Sequence, residues 1–284
     1  MARLLPLSAA VEEVVRDGDR TAFEGFTHLI PYAAGHEAIR QKRKDLTLVR
    51  MTPDILYDQM IGMGGVNKMV FSWGGNPGVG SLHRFRDAYE KNWPQPLEIE
   101  EHSRAASAKA YEAGAAGLRF AVCRGYRGAE LPRVNPNIKS LTCPYTGEAL
   151  ATVPAMQLDS AIIHAQRADR AGNVMLEGIV GVQKEAVLSA RRSLVTVEEV
   201  VDDFGPRSFN ACILPHWTVT AVSVVPGGTH PSYAQGYYKR DNAFYETWDE
   251  ISRDRDSFKA WMEANVMKKG PDAFAPYARK GRAT

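Results

Sequence analysis

The sequence predicts an α/β fold: a single large domain with a mainly parallel sheet flanked by helices, in three α/β/α layers. Three observations carry this. Short runs of β-branched and aromatic residues alternate with amphipathic stretches over residues 8–124. The connections between those runs are too long for hairpins, so the strands pair through helical crossovers and lie parallel. The chain has 284 residues, 44% hydrophobic and 24% charged, which is an ordinary globular balance with enough apolar material for a core.

The elements follow in order. Residues 8–17 place Ala9, Val11, Val14 and Val15 on one face, with Ser8 as a cap and Gly18 as a stop, so a helix is expected. Residues 21–26 read as a strand closing on Gly25. A helix over 32–44 follows Pro31, a strand over 46–51, and a helix over 54–63. Residues 68–73 form a third strand ending in Gly74-Gly75-Asn76-Pro77-Gly78-Val79-Gly80, after which Ser81 caps a helix to about Asn92. A short strand over 97–100, an alanine-rich helix over 103–117 and a strand over 118–124 complete the alternation.

The stretch 125–154 is rich in Pro, Asn and Gly without a clear period and reads as a long ordered loop, functional or interfacial. Strands return over 160–166, 193–201 and 218–225, with a turn at 169–173 and a helix over 183–191. A Gly- and aromatic-rich loop, 226–238, precedes two charged amphipathic helices over 241–253 and 256–268. The domain is expected to span 1–269, with 270–284 as a flexible tail.

Composition excludes several functions. The net charge of +2, with Lys and Arg interspersed among Asp and Glu, gives no footprint for nucleic acid. No run of about 18 apolar residues exists to span a membrane, and the N-terminus turns polar too soon for a signal peptide. Cys123, Cys143 and Cys212 are odd in number and widely spaced, which fits reduced, packed thiols in a cytoplasm. The seven histidines form no HxxxH pair and no Cys/His cluster, so no metal site is expected.

In a parallel sheet ligands bind where the loops open beyond the carboxyl ends of the strands. Those loops are 27–31, 52–54, 74–80 and 101–102. The 74–80 loop follows a strand and opens a helix, so its free N–H groups can face an anion. It is neither GxGxxG nor a P-loop. On the residues alone, a ligand loop and a plain tight turn stay equally open. At Gly25, a glycine at a strand end lets a ligand carbonyl approach the backbone, and the following amides can form an oxyanion pocket. A plain strand-to-helix turn is the simpler account of the same residues. Glu98, Glu100, Glu101 and His102 sit at another strand end; acid–base work is one reading, a solvated or intersubunit salt-bridge cluster the commoner one. His164, in an apolar strand, reads as a satisfied core histidine. Tyr233, Tyr237, Tyr238, Phe244, Tyr245 and Trp248 read as interface aromatics.

Over residues 21–266 the motifs together resemble the A-type half of family I CoA-transferases, the glutaconate and 3-oxoacid type. The segments that carry the resemblance are EGFTHLIP at 24–31, FSWGGNPGVGSL at 71–82, EAGAAGL at 112–118, HAQRADRAGNV at 164–174 and PGGTHPSY at 226–233. The resemblance implies covalent catalysis by a glutamate. It attacks the donor acyl-CoA to give a mixed anhydride and CoA thiolate, then carries CoA as a glutamyl thioester, and the acceptor acid collects CoA by the reverse steps. In the two-subunit members that glutamate belongs to the B-type subunit, so no catalytic nucleophile is expected here. The implied partners are a B-type subunit, in a heterotetramer of two A-type and two B-type chains, an acyl-CoA and a small carboxylic acid. No cofactor is implied beyond the CoA thioester that serves as substrate. By motif position the acyl-CoA and acid pocket falls to Gly25, Phe26 and Thr27 and to Ser72, Gly74, Gly75 and Asn76. Many relatives carry a glycine where Glu24 stands, which departs from the family pattern.

Three other readings compete with this one. Relatives that hydrolyse a ring-containing acyl-CoA are expected to carry a glutamate near Arg104 or Ala105; neither is acidic, though Glu100 and Glu101 lie nearby. A ligand-sensing domain of a transcription regulator needs a helix-turn-helix, and a single helix precedes the first strand. A dinucleotide-binding dehydrogenase needs the glycine fingerprint that 74–80 lacks.

Overall fold

The computed structural model describes residues 2–278. The first half runs β1 (Arg3–Leu4), α1 (Leu7–Val14), β2 (Arg20–Glu24), α2 (Tyr32–Arg40), β3 (Leu46–Val49), α3 (Ile55–Gly62), β4 (Val66–Phe71), α4 (His83–Lys91), β5 (Glu98–Glu101) and α5 (Arg104–Ala115). A small unit follows: β6 (Phe120–Cys123), α6 (Leu131–Val134), β7 (Lys139–Thr142) and β8 (Ala149–Pro154). The chain then forms β9 (Leu158–Asp169), β10 (Val174–Leu176), α7 (Gln183–Ser189), β11 (Ala190–Val201), β12 (Cys212–Leu214) and β13 (Ala221–Val224). The last helices are α8 (Asn242–Arg253), α9 (Arg255–Met262) and α10 (Ala275–Ala278).

The main sheet has the order β1-β13-β11-β9-β2-β3-β4-β5, and every neighbouring pair along it is parallel. The chain builds outward from β2 through β5, then returns to the other side of β2 with β9, β11 and β13. The order therefore reverses between β2 and β9, which opens a crevice beyond their carboxyl ends.

Alternation within the strands explains the three layers. Phe23, Leu48, Met69 and Ile162 face a core with Val11, Tyr32, Leu56, Trp248 and Phe258 of the helices on one side. Their sequence neighbours Ala22, Val49, Val70 and Ala161 face Ala106, Ala110, Tyr111 and Ala186 of α5 and α7 on the other. A strand buried on both faces has no polar side to show, which is why these strands read as near-continuous apolar runs.

Several expectations are corrected. The 125–154 stretch is not a loop: β7 and β6 each pair antiparallel with β8, and a turn at 143–147 joins β7 to β8. Its short exposed strands, with β7 wholly exposed, give no apolar period to read. β10 and β12, three residues each, pair antiparallel beside the end of β9 and carry no sequence signal of their own. The late aromatics are largely core: Trp248 is fully buried, Tyr245 is 1% exposed and Tyr238 5%. Cys123 is buried, whereas Cys143 and Cys212 are partly exposed. Ser8 does not cap α1, whose N-cap position is Pro6. Ser81 does not cap α4 either: Asp58 of α3 accepts from the Arg84 and Phe85 amides at 2.8 and 2.9 Å, a cap supplied from another helix. Beyond Gly270, Pro271–Phe274 forms a 3₁₀ turn with Phe274 buried, so the expected tail is packed as far as 278. The rest of that tail, 279–284, lies outside the described residues.

Candidate active site

β2 ends at Glu24, and the chain folds straight back over Gly25. A Cβ at Gly25 would lie 2.8 Å from Ile30 Cα and from the Leu29 oxygen, and 2.9 Å from the His28 oxygen. Glycine is needed there because the returning loop leaves no room for a side chain. Two residues that follow have left-handed backbones, Thr27 at φ 57° and Leu29 at φ 54°. For β-branched Thr27 this is costly, and such strain persists only where the surroundings fix it. They do: Ser232 donates to the Thr27 carbonyl at 2.8 Å, and Leu29 N–H donates to the Tyr233 carbonyl at 3.0 Å. Buried His28 accepts at Nε2 from the Gln235 amide (3.0 Å) and contacts the Ile179 carbonyl through Nδ1 (3.1 Å). Those partners select one neutral tautomer, in keeping with burial that lowers the ring to about 4.

Beneath the loop lies a buried charge network. Arg50, 1% exposed, donates through Nη1 and Nη2 to the two Asp54 oxygens at 3.0 and 3.1 Å. The same Nη2 donates to the Gly25 carbonyl at 2.5 Å, and Nε lies 4.0 Å from Glu24. Glu24 accepts from the Gly25 amide (3.1 Å), the Met51 amide (3.3 Å) and the Tyr111 hydroxyl (3.0 Å). Burial raises the Glu24 carboxyl above its ordinary value, against the pull of Arg50 and these hydrogen bonds. Burial lowers the Arg50 guanidinium, but Asp54 and Glu24 more than offset it. Asp54 also caps α3 by accepting from the Leu56 amide. The departure at Glu24 thus has a structural purpose: its carboxylate ties the ends of β2 and β3 to α5.

A cavity of about 220 Å³ opens above this network. Phe26, Thr27, Thr52, Trp73, Pro77 and Gly78 line it, together with Arg50, Asp54 and, at the start of α5, Arg104. The cavity sits at the carboxyl ends of β2, β3 and β4, where the parallel order places such sites.

Of the residues expected from sequence, Phe26 and Thr27 line this cavity. Gly25 contributes its carbonyl to Arg50. The hydroxyl of Ser72 is occupied by the Met51 carbonyl at 2.6 Å. The Asn76 side chain, 1% exposed, donates to the Tyr245 carbonyl at 2.7 Å and clasps the loop to α8. Gly74 packs near Phe71 and Pro53, and the Gly75 amide donates to the Pro53 carbonyl at 3.2 Å. A Cβ on Gly75 would meet the Trp73 ring at 2.7 Å, so Gly75 acts as a spacer behind that indole. Sequence reasoning assigned no site role to Arg50, Trp73 or Arg104, and reached Asp54 only as part of the 52–54 loop. The legible signal was the Arg50–Asp54 pair, an i,i+4 ion pair spanning a strand end and a helix cap.

The acidic cluster at β5 is a salt-bridge cluster. Lys68 lies 2.7 Å from Glu98 and 3.0 Å from Glu100, and Glu100 holds His102 Nε2 at 2.9 Å. Burial raises Glu100, yet the bonds from His102, Lys68 and Asn137 prevail and hold it at about 2. His164 is a satisfied core histidine, bound to Thr196 at 2.8 Å and Glu198 at 2.9 Å.

Comparison with known proteins bears on the family and the fold. Residues 6–224 match the family described as Coenzyme A transferase. The chain is 60% identical over 280 residues to the A-type subunit of 3-oxoadipate CoA-transferase from Pseudomonas knackmussii, covering 99% of this chain and 98% of that protein. It is 31% identical over 286 residues to the A-type subunit of glutaconate CoA-transferase from Acidaminococcus fermentans, covering 94% and 88%. The crystal structure of glutaconate CoA-transferase from the same organism superposes with a TM-score of 0.88 at 29% identity, covering 99% of this chain and 94% of that one. A full-length match in sequence and a sheet with the same architecture lead to one conclusion: the chain belongs to the coenzyme A transferase family and is a subunit of the A type.

Proposed function

We propose that this chain, joined to a B-type subunit, moves CoA from succinyl-CoA to 3-oxoadipate in the degradation of aromatic compounds. The observation that carries this reading is the 60% identity, over nearly the whole of both chains, to the A-type subunit of a 3-oxoadipate CoA-transferase. The cavity supports the division of labour. Asp54 is the one carboxylate among its lining residues, and Arg50 binds both its oxygens. The nucleophile in this reading, as the family resemblance implies, is a glutamate of the partner. Its carboxylate attacks the thioester carbonyl; the acyl–sulfur bond breaks, an anhydride forms and CoA leaves as thiolate. The thiolate attacks the glutamyl carbonyl of the anhydride and frees succinate. The acceptor carboxylate and the enzyme thioester then repeat the steps in reverse and restore the glutamate. Phe26 and Thr27, at the strained loop, are the residues of this chain proposed to meet the acyl group. The assembly proposed is two A-type and two B-type chains in the cytoplasm; among the described residues no helix is long and apolar enough to cross a membrane.

The test is a CoA-transfer assay on the purified chain, on a purified B-type subunit, and on the two combined. Transfer by the combination and by neither alone is expected. Full activity from this chain alone refutes the two-subunit reading. Free CoA released without a new thioester points to hydrolysis instead. Against that second reading stand Arg104 and Ala105, where the resemblance leads one to expect an acidic residue, and the engagement of Glu100 with Lys68 and His102; exposed Glu101 is the carboxylate nearby that keeps it open to this test.

A further inference from the structure

We infer that Arg104, held against Trp73, is a carboxylate-binding subsite that selects acceptors with a second, non-reacting carboxylate; the inference rests on the transferase reading above. Two guanidinium groups border the cavity. Arg50 is 1% exposed, its charge is paired with Asp54, and both its Nη groups are bound by Asp54 and the Gly25 carbonyl. Arg104 is exposed, and its guanidinium carbon lies 5.8 Å from the centre of the Trp73 ring. Among the described residues no carboxylate is paired with it. The cavity thus presents one uncompensated cation.

The chemistry suits a dicarboxylate. Transfer consumes one carboxylate, which becomes the thioester, and the other keeps its charge throughout. A planar guanidinium presents two parallel N–H groups to that carboxylate, and an aromatic face restrains it without neutralising it. Trp73 is itself 42% exposed and is positioned from behind by Gly75, the residue whose added Cβ would strike the indole. Gly75, Trp73 and Arg104 therefore form a chain of contacts that sets where the charge stands.

The experiment uses the reconstituted two-subunit enzyme with two acceptors of equal chain length, 3-oxoadipate and 3-oxohexanoate. Arg104→Gln is expected to lower kcat/KM for 3-oxoadipate about 10- to 100-fold, the loss of one charged hydrogen-bonding partner, mostly through KM. The value for 3-oxohexanoate should stay within about twofold, and Arg104→Lys should recover part of the loss. Gly75→Ala gives an independent route: by displacing Trp73 it should lower the preference for the dicarboxylate while Arg104 remains. Equal losses on both acceptors, or an unchanged preference in both variants, overturn the inference and leave the transferase reading intact. A parent complex that transfers CoA to neither acid overturns the transferase reading itself.

Discussion

Arg50→Met tests whether the buried network holds the candidate site in shape. The substitution keeps most of the side-chain length and removes the charge. It strands Asp54 and Glu24, which are 1% and 3% exposed, and frees the Gly25 carbonyl. Breaking a buried ion pair from one side typically costs about 3–5 kcal/mol, because the remaining charge stays buried without its partner. At about 2.1 cal/mol/K of unfolding entropy per residue, a chain of this length has roughly 0.6 kcal/mol/K, so the midpoint should fall by about 5–8 °C. The penalty should depend on pH, and its sign follows from linkage. Without Arg50, the Glu24 carboxyl, already raised by burial, loses the charge that pulls it back down, so its folded pKa lies still further above its unfolded one. The folded state then holds extra protons, and its stability is lost as pH rises through the folded value. Acidification should therefore shrink the gap between variant and parent. Thermal and urea denaturation of both chains at several pH values measures this. A shift under about 1 °C, or a penalty that does not change with pH, refutes the network as the element that fixes the site.

Three further outcomes are expected. Gly25→Ala should destabilise by about 1–3 kcal/mol, since its Cβ would meet backbone atoms at 2.8 Å; Gly74→Ala, whose nearest neighbours lie at 3.9 Å, should be near neutral, and paired denaturation curves compare them. Thr27→Gly relieves a left-handed backbone, so it should leave stability within about 1 kcal/mol of the parent while lowering turnover of the complex, read by denaturation and transfer assay together. Burial pushes the Asp58 carboxyl up to about 6 against its bonds from Phe85, Trp248 and Arg84, so its contribution is greatest at acid pH and is lost as pH rises through about 6. Asp58→Asn should flatten stability between about pH 4 and 6, and it should cost about 1–2 kcal/mol at neutral pH if its amide faces Trp248 Nε1–H.

The sequence by itself determined the parallel core and the end of the sheet that carries the candidate site. Strand–helix alternation requires crossovers, crossovers make strands parallel, and parallel strands put Gly25 and the 74–80 loop at one end. The helices expected over 54–63 and 103–117 do start there, and the structure shows Asp54 and Ser103 as their caps. Tertiary structure decided what depends on distant neighbours. Gly25 is glycine because Leu29 and Ile30 return over it, and α4 is capped by Asp58 from another helix. The short exposed strands of 139–154 are stabilised by pairing with one another, which no periodicity along the chain records. The cavity itself depends on which polar groups are already satisfied. Ser72 gives its hydroxyl hydrogen to Met51 and Asn76 its side-chain N–H to Tyr245, while Asn76 Oδ1 keeps no partner. In the linear sequence Arg104 counted only as a position that is not acidic. It stands out only because folding places it beside Trp73 at a cavity whose other cation is already neutralised.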